Sequence, residues 1–288
     1  MNGLSGRSGL SGFGGLSGLD EVHPQRWFST NLVGVPAPLL ASTRFNEHPA
    51  PLQIAGARAT QRGLFALLQL CASAAEAREV FEHTMDIVFG LQREGPTDAA
   101  EARRWRTSYV KLLQGWGLDA SSPAAAVLKG WVESRFGLVP TFHRAPLSRY
   151  PSPAWMRYLE EKAHGRWHNN SIWQQLDLLY EFCQWSLQRF GALGAEPTLE
   201  LWRGSGDLPA QCIEGSPRER RCTVRLNNVV SMSLSRESAA CFGDWLLRVR
   251  VPLCKVVCYP GLLNTRVLDG EDEVLVLGGD YRAEVRYD

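Results

Sequence analysis

The sequence predicts an α+β protein in which an N-terminal helical layer packs on a β-rich C-terminal part. Between residues 57 and 195, helix-capping signals recur and apolar residues follow the helical period. After Pro197 the apolar period changes towards two, which is typical of strands. The chain of 288 residues is long enough for one large core or two modest ones. We expect residues 57–195 and 196–288 to form one integrated domain.

Two segments at the start of the chain show no regular period. Residues 1–20 contain three copies of Gly-Leu-Ser-Gly. The conformational entropy lost on ordering such a tract costs more free energy than burial of its few apolar side chains provides, so we predict a flexible tail. Residues 21–56 contain several prolines, and we expect them to form a mostly extended arm that wraps the body of the protein.

Capping signals locate the ends of the predicted helices. Ser73 and Glu76 form a capping box that opens a helix running to about residue 92. Serine-proline pairs and glycines mark further ends, with N-caps at Ser122 and Ser152 and C-terminal glycines at Gly137 and Gly165. Apolar residues at helical spacing from Ile172 to Phe190 predict one long amphipathic helix.

The C-terminal part contains five segments of strand composition and one short helix. The predicted strands are 198–202, 228–235, 247–251, 274–277 and 283–287. The helix is expected over 236–242, directly after the second of these strands.

Two glutamates precede the apolar run 274–277. Glu271 and Glu273 are two positions apart, so on a strand their side chains would share one face. A rigidly held carboxylate stabilises positive charge that develops only in a transition state. Taken alone, the pair is better explained as an acidic turn over 269–273. Only the presence of two further motifs favours a catalytic role.

Those motifs contain an arginine and two serines. Arg203 ends a strand-like segment and precedes a glycine-rich turn, and its planar guanidinium suits the phosphates of a dinucleotide. A surface arginine at a strand end is the alternative. Ser231 and Ser233 alternate on the predicted strand 228–235, and Phe242 ends the short helix that follows.

In this order, the motifs Leu201–Gly204, Ser231–Ser233 and Glu271–Glu273 resemble the arginine, serine and glutamate triad of the mono-ADP-ribosyltransferases. These enzymes transfer ADP-ribose from NAD to a protein side chain. The longer segments Arg44–Arg58 and Trp155–Trp185 resemble the dinitrogenase reductase ADP-ribosyltransferase family. The resemblance implies an ADP-ribosyltransferase core of two packed β-sheets with the NAD cleft between them.

The resemblance also implies that four residues belong to the catalytic set, namely Glu273, Glu271, Ser231 and Arg203. Glu273 would stabilise the oxocarbenium-like ribose, through the ribose 2′-hydroxyl. Glu271 would orient the target arginine and take its proton. A proton acceptor is needed because a guanidinium group stays protonated up to about pH 12. Ser231 would hydrogen-bond Glu273 and fix its orientation.

Five residues are implied in NAD binding. Arg203 would contact NAD, and Gly204 would lie where the backbone approaches the nicotinamide amide. Ser231 and Ser233 would line the site. Phe242 would pack on the nicotinamide ring, and a core position in the short helix is the alternative for this residue. Met232 replaces the threonine that is common at the centre of the serine motif.

The implied substrate is dinitrogenase reductase, the nitrogenase iron protein, which would be inactivated reversibly by modification of an arginine. NAD is the implied co-substrate, and a PII-type signal protein is the implied regulator. The same triad would also serve transfer to an arginine of another protein, or NAD hydrolysis by a glycohydrolase. A non-enzymatic NAD-sensing or scaffold module is the remaining alternative.

The composition limits which binding partners and which cellular location are expected. The net charge of +1 gives no electrostatic argument for nucleic acid or an anionic membrane. No apolar run approaches the roughly 18 residues of a membrane span, and the first residues lack the apolar stretch of a secretory signal. We therefore expect a location in the bacterial cytoplasm. We expect no catalytic metal, because the histidines do not cluster with cysteines at ligand spacing.

Overall fold

The computed structural model describes residues 31–91, 106–264 and 272–287. The predicted Gly/Ser tail and Glu271 lie outside these residues.

The α-helices described are α1 Ala37–Ala41, α2 Thr43–Glu47, α3 Ala57–Thr60, α4 Arg62–Leu70, α5 Ala74–Phe89, α6 Tyr109–Leu118, α7 Pro123–Phe136, α8 Pro153–Lys162, α9 Ile172–Phe190, α10 Leu208–Gln211 and α11 Arg236–Ala240. The strands are β1 Phe142–His143, β2 Ala145–Pro146, β3 Thr198–Ser205, β4 Cys212–Ser216, β5 Arg221–Ser233, β6 Trp245–Pro252, β7 Val256–Cys258 and β8 Glu273–Tyr287. The predicted α+β class is confirmed.

Capping side chains begin the helices at the predicted positions. Ser73, Ser122 and Ser152 each accept a hydrogen bond from the backbone N–H three residues further on, at the starts of α5, α7 and α8. Gly137 ends α7 with a φ of 71°, a left-handed conformation that favours glycine. The local sequence thus fixes where these helices begin and where α7 ends.

Two local predictions need correction. Ala163, rather than Gly165, is the C-cap of α8, and its φ of −88° requires no glycine. The arm predicted as mostly extended over 21–56 contains the short helices α1 and α2. Ser42 explains the second of these, because its hydroxyl accepts the Phe45 N–H at 3.3 Å and so supplies an N-cap.

Six antiparallel strands form one sheet in the order β4-β5-β3-β6-β8-β7, and an additional pairing of β5 with β8 joins strands β5, β3, β6 and β8 into a closed ring. The described strands therefore do not separate into the two packed sheets that were expected. The reason is the length of β5 and β8, which span 13 and 15 residues. Each is long enough to pair with different neighbours along its two halves.

A bulge bends β5 where it crosses β8. The pairing changes register between Leu226 and Val229. Opposite the bulge, a Cβ on Gly278 would lie 1.5 Å from the Asn227 carbonyl oxygen, so only glycine fits there. The Asn228 side chain donates to the carbonyls of Lys129 and Leu138, both at 2.9 Å. The bulge thereby ties the sheet to the helical layer.

Helix α9 connects the helical layer to the strands through buried polar contacts. Tyr180 donates to the Cys254 carbonyl at 2.7 Å, and Gln184 donates to the Val256 carbonyl at 2.7 Å. On the other side, the Glu181 carboxylate accepts the Ile54 N–H at 2.6 Å. Most apolar side chains of α9 belong to a single core shared by helices and sheet. The helical layer and the sheet therefore share one continuous core.

Lys255 is a buried lysine whose amine has no hydrogen-bond partner within the described residues. The amine lies 5.4 Å from the ring centroid of Phe45 and 5.0 Å from that of Tyr281. Burial lowers the pKa of Lys255 to about 7, and the rings compensate only part of the lost hydration.

We expect Lys255→Met to raise the free energy of unfolding by about 1–4 kcal/mol at pH 6 and by less at pH 9. Below about pH 7 the folded protein buries an ammonium group. Between about pH 7 and 10.5 the unfolded chain binds more protons than the folded one, so wild-type stability rises with pH. Urea unfolding of both proteins at the two pH values measures the difference. A gain that does not change with pH would contradict this explanation.

Candidate active site

The structure brings the arginine, serine and glutamate motifs together on three neighbouring strands. Ser233 on β5 is paired with Trp202 on β3 and with Glu273 on β8. The pairing places Arg203 and Ser231 one or two positions from this junction. Residues that are 70 positions apart in the sequence thus meet where the sheet closes.

Ser231 holds the Glu273 carboxylate by a direct hydrogen bond. Its hydroxyl donates to Glu273 Oε1 and accepts the indole N–H of Trp116 at 2.8 Å. An indole nitrogen can only donate, so the serine oxygen receives that hydrogen and its own hydrogen points to the carboxylate. Glu273 is partly buried, and Trp116 is 4% exposed. The pair therefore has one defined orientation in a partly buried setting.

Trp116 is a site residue that the sequence reasoning missed. It lies on α6 in the helical layer, 115 positions before Ser231, and no local signal separates it from the other nine tryptophans. The buried Lys129 amine lies 5.9 Å from the centroid of its ring, and burial lowers the pKa of Lys129 to about 8. The helical layer thus supplies part of the support for the carboxylate.

We expect Trp116→Phe to lower kcat about 5- to 10-fold while the KM for NAD changes little. Phenylalanine keeps most of the packing but removes one hydrogen bond, worth about 1 kcal/mol, that orients Ser231. Steady-state kinetics with varied NAD measures both constants. Trp131→Phe is the matched control, because Trp131 is also buried and its N–H donates to Asp177 on α9. An equal fall of kcat in both variants would argue against a specific role for Trp116.

Arg203 lies beside the carboxylate with part of its hydrogen-bonding capacity unused. Its Nη1 donates to the Ser231 carbonyl at 2.6 Å, whereas its buried Nε has no partner within the residues that the structure describes. Burial lowers the pKa of Arg203, and the negative charge of Glu273 acts in the opposite direction. A charged guanidinium with a spare buried donor suits an anionic group such as a phosphate.

Gly204 and Phe242 lie together at the end of α11. A Cβ on Gly204 would come within 2.3 Å of the Ala239 carbonyl oxygen and 3.0 Å of Phe242 Cβ, so glycine allows α11 to pack on β3. The Phe242 side chain is 56% exposed. The alternative of a core position for this ring is therefore wrong, and an exposed aromatic ring is available to a flat ligand.

The remaining predicted positions differ in how far the structure describes them. Ser233 is 6% exposed, and its hydroxyl accepts the Ser235 N–H at 3.0 Å. Glu271 lies outside the described residues. Asp272 is a turn with a φ of 49°, and β8 begins at Glu273. The strand argument for a shared face therefore does not extend to Glu271.

Two negative findings apply to the described part of the chain. Residues 31–91, 106–264 and 272–287 contain no group of three or more His, Cys, Asp or Glu side chains that could hold a metal ion. Across the same residues, no helix has the length and hydrophobicity needed to cross a membrane.

Comparison with known proteins agrees with this arrangement of motifs. The family model described as dinitrogenase reductase ADP-ribosyltransferase matches residues 30–285. A curated relative, the NAD(+)–dinitrogen-reductase ADP-D-ribosyltransferase of Rhodospirillum rubrum, is 47% identical over 273 residues, which are 93% of this chain and 99% of that protein. No solved structure matches the chain significantly. The chain belongs to the dinitrogenase reductase ADP-ribosyltransferase family.

Proposed function

We propose that this protein transfers ADP-ribose from NAD to an arginine of dinitrogenase reductase and so inactivates it reversibly. One observation carries the proposal, namely the Glu273 carboxylate held by Ser231 next to Arg203. It occurs in a chain that is 47% identical to an enzyme named for this reaction. The residue roles that follow are part of the proposal.

NAD binding is assigned to the exposed and unsatisfied groups around Glu273. The Arg203 guanidinium is assigned to a phosphate, because bidentate contact with phosphate is typical of arginine. The exposed ring of Phe242 stacks on the nicotinamide. Gly204, which packs against Phe242, is assigned to the backbone beside the nicotinamide amide, and Ser233 is assigned to the lining of the same site. Together these groups fit a dinucleotide with an aromatic head.

Glu273 acts when the bond between nicotinamide and ribose breaks. Nicotinamide leaves with the bonding electron pair, and positive charge develops on the ribose C1′. The fixed carboxylate stabilises this charge, through the ribose 2′-hydroxyl, more strongly in the transition state than in the ground state. Ser231 keeps the carboxylate in place, so little reorganisation is needed during the reaction.

Transfer to arginine needs a second carboxylate, which we assign to Glu271. A guanidinium nitrogen attacks C1′, and a new carbon–nitrogen bond forms while one proton leaves the nitrogen. The arginine pKa lies above about 12, so an acceptor for that proton lowers the barrier. Water needs no guanidinium clamp, and for this reason Glu271 favours transfer over simple NAD hydrolysis.

The cellular setting is also part of the proposal. Permanent modification would stop nitrogen fixation, so the activity must be regulated, and we propose a PII-type signal protein as the regulator. Its support is the family resemblance of the sequence. We place the enzyme in the bacterial cytoplasm, where its protein substrate and NAD are both available.

The proposal is tested by incubating the purified protein with labelled NAD and dinitrogenase reductase, followed by peptide mass spectrometry. The expected result is label on a single arginine of dinitrogenase reductase. Transfer to another protein of a nitrogen-fixing extract, but not to dinitrogenase reductase, would replace the proposed substrate. Release of nicotinamide with no protein label would replace transfer by NAD hydrolysis.

A further inference from the structure

A second feature of the β-rich part is an open cleft of about 790 Å³ at the end of β8 and the turn before β5. Its lining is dominated by arginines and includes one tryptophan; the residues are Arg218, Arg220, Arg221, Arg236, Arg286 and Trp245. We call this feature the arginine cleft. The triad residues Arg203, Ser231 and Glu273 are not among its lining residues.

The positive charge of the arginine cleft is poorly balanced. Two carboxylates also line it, Glu219 and Glu284. Glu284 is engaged with Arg248 outside the cleft, at 3.1 Å. The exposed side chains of Arg218, Arg220 and Arg221 form no ion pair with any residue that the structure describes. In a chain with a net charge of only +1, this is a local concentration of positive charge.

The arginine cleft lies close to the candidate active site. Arg236 is the first residue of α11, and Phe242 follows two residues after its end. At the rise of an α-helix, α11 spans about 6 Å from Arg236 to Ala240. Because α11 also packs on Gly204, one short helix separates the cleft from the NAD-binding groups.

We propose that the arginine cleft docks an acidic segment of the protein substrate, an inference that rests on the proposed function. A protein that presents an arginine to Glu273 covers about 800 Å² of this chain, a footprint of about 16 Å radius. The Arg286 guanidinium carbon lies 5.6 Å from the ring centroid of Trp202. Trp202 pairs with Ser233, which pairs with Glu273, so this end of the cleft falls inside that footprint. Guanidinium groups bind carboxylates in a bidentate manner, and their combined field speeds encounter with an acidic surface.

The shape of the cleft favours a protein segment over a small anion. Pockets for small molecules usually bury about 70–90% of the ligand surface. Here Arg218, Arg220, Arg221 and Arg286 are all exposed, and they extend from a turn and a strand end. An open, exposed set of arginine side chains suits a carboxylate-bearing segment that approaches from solvent.

The test is the double variant Arg218→Gln with Arg221→Gln. We expect its KM for dinitrogenase reductase to rise about 10-fold or more, and the salt dependence of KM to weaken. The kcat, the KM for NAD, and transfer to free arginine should stay unchanged, because none of these needs the docking surface. The matched control is Arg250→Gln with Arg282→Gln, which removes two exposed arginines of the same sheet outside the cleft.

Three results would overturn the docking site. The first is a KM for dinitrogenase reductase that stays unchanged in the cleft variant or rises equally in the control. The second is a higher KM for NAD in the cleft variant, which would assign the cleft to nucleotide binding. The third is inhibition of transfer to free arginine by inorganic pyrophosphate in the wild type but not in the cleft variant, which would make the cleft a small-anion site. A wild-type protein that modifies free arginine but not dinitrogenase reductase would instead overturn the proposed substrate and, with it, this partner.

Discussion

Replacing Glu273 by glutamine is expected to lower both ADP-ribose transfer and NAD hydrolysis about 10³-fold. Glutamine has almost the same shape and can still accept a hydrogen bond from Ser231. It lacks the negative charge that stabilises the oxocarbenium-like ribose, and loss of such a fixed group typically costs about 10²–10³ in kcat. Nicotinamide release, with and without dinitrogenase reductase, measures both activities.

The matched control for this variant is Glu200→Gln. Glu200 lies on β3 of the same sheet, and its carboxylate pairs with Arg248 on the exposed surface. Removing an exposed ion pair changes stability by about 0–1 kcal/mol and should leave kcat unchanged. If Glu273→Gln kept activity within a few-fold of the control, the charge of Glu273 would have no catalytic role.

The second large effect is expected from Glu271→Gln, which should lower arginine transfer about 10²-fold while NAD hydrolysis stays within a few-fold of wild type. Glutamine cannot take a proton from the target guanidinium, and loss of a general base costs about 10²–10⁴. Hydrolysis still has Glu273 and needs no deprotonated arginine. Labelled transfer to dinitrogenase reductase and nicotinamide release in its absence separate the two activities.

Two outcomes would contradict separate roles for the two glutamates. Equal loss of transfer and hydrolysis in Glu271→Gln would mean that Glu271 also supports cleavage of the nicotinamide bond. Equal retention of both would remove Glu271 from the mechanism. The kinetic comparison is decisive here, because Glu271 lies outside the described residues and the strand begins only at Glu273.

Local signals in the sequence predicted much of the fold. Ser73, Ser122 and Ser152 cap helices as expected, because an N-cap depends on a side chain and the next three residues. The long helix α9 follows its apolar period from Ile172 to Phe190. The closure of the sheet was not predictable in this way, because it depends on which distant strands pair with β5 and β8.

In the candidate site, too, the motifs were predictable from the sequence, whereas contacts that depend on packing were not. The resemblance of the motifs to the triad of the mono-ADP-ribosyltransferases predicted that Arg203, Ser231 and Glu273 belong together, and the structure brings them to adjacent strands. The contribution of Trp116 depends on packing between α6 and the sheet, and a single sequence contains no signal for it. The exposure of Phe242 likewise follows from where α11 ends, since a phenylalanine suits a core and a ligand site equally well.

We propose that the carboxylate held by Ser231 drives transfer of ADP-ribose to dinitrogenase reductase. The intact mass of dinitrogenase reductase, followed over time with NAD and either wild type or Glu273→Gln, tests this proposal. We predict the mass of one added ADP-ribose with the wild type and none with the folded variant over the same period. Equal modification by both proteins would contradict the claim, since transfer would then not depend on this carboxylate.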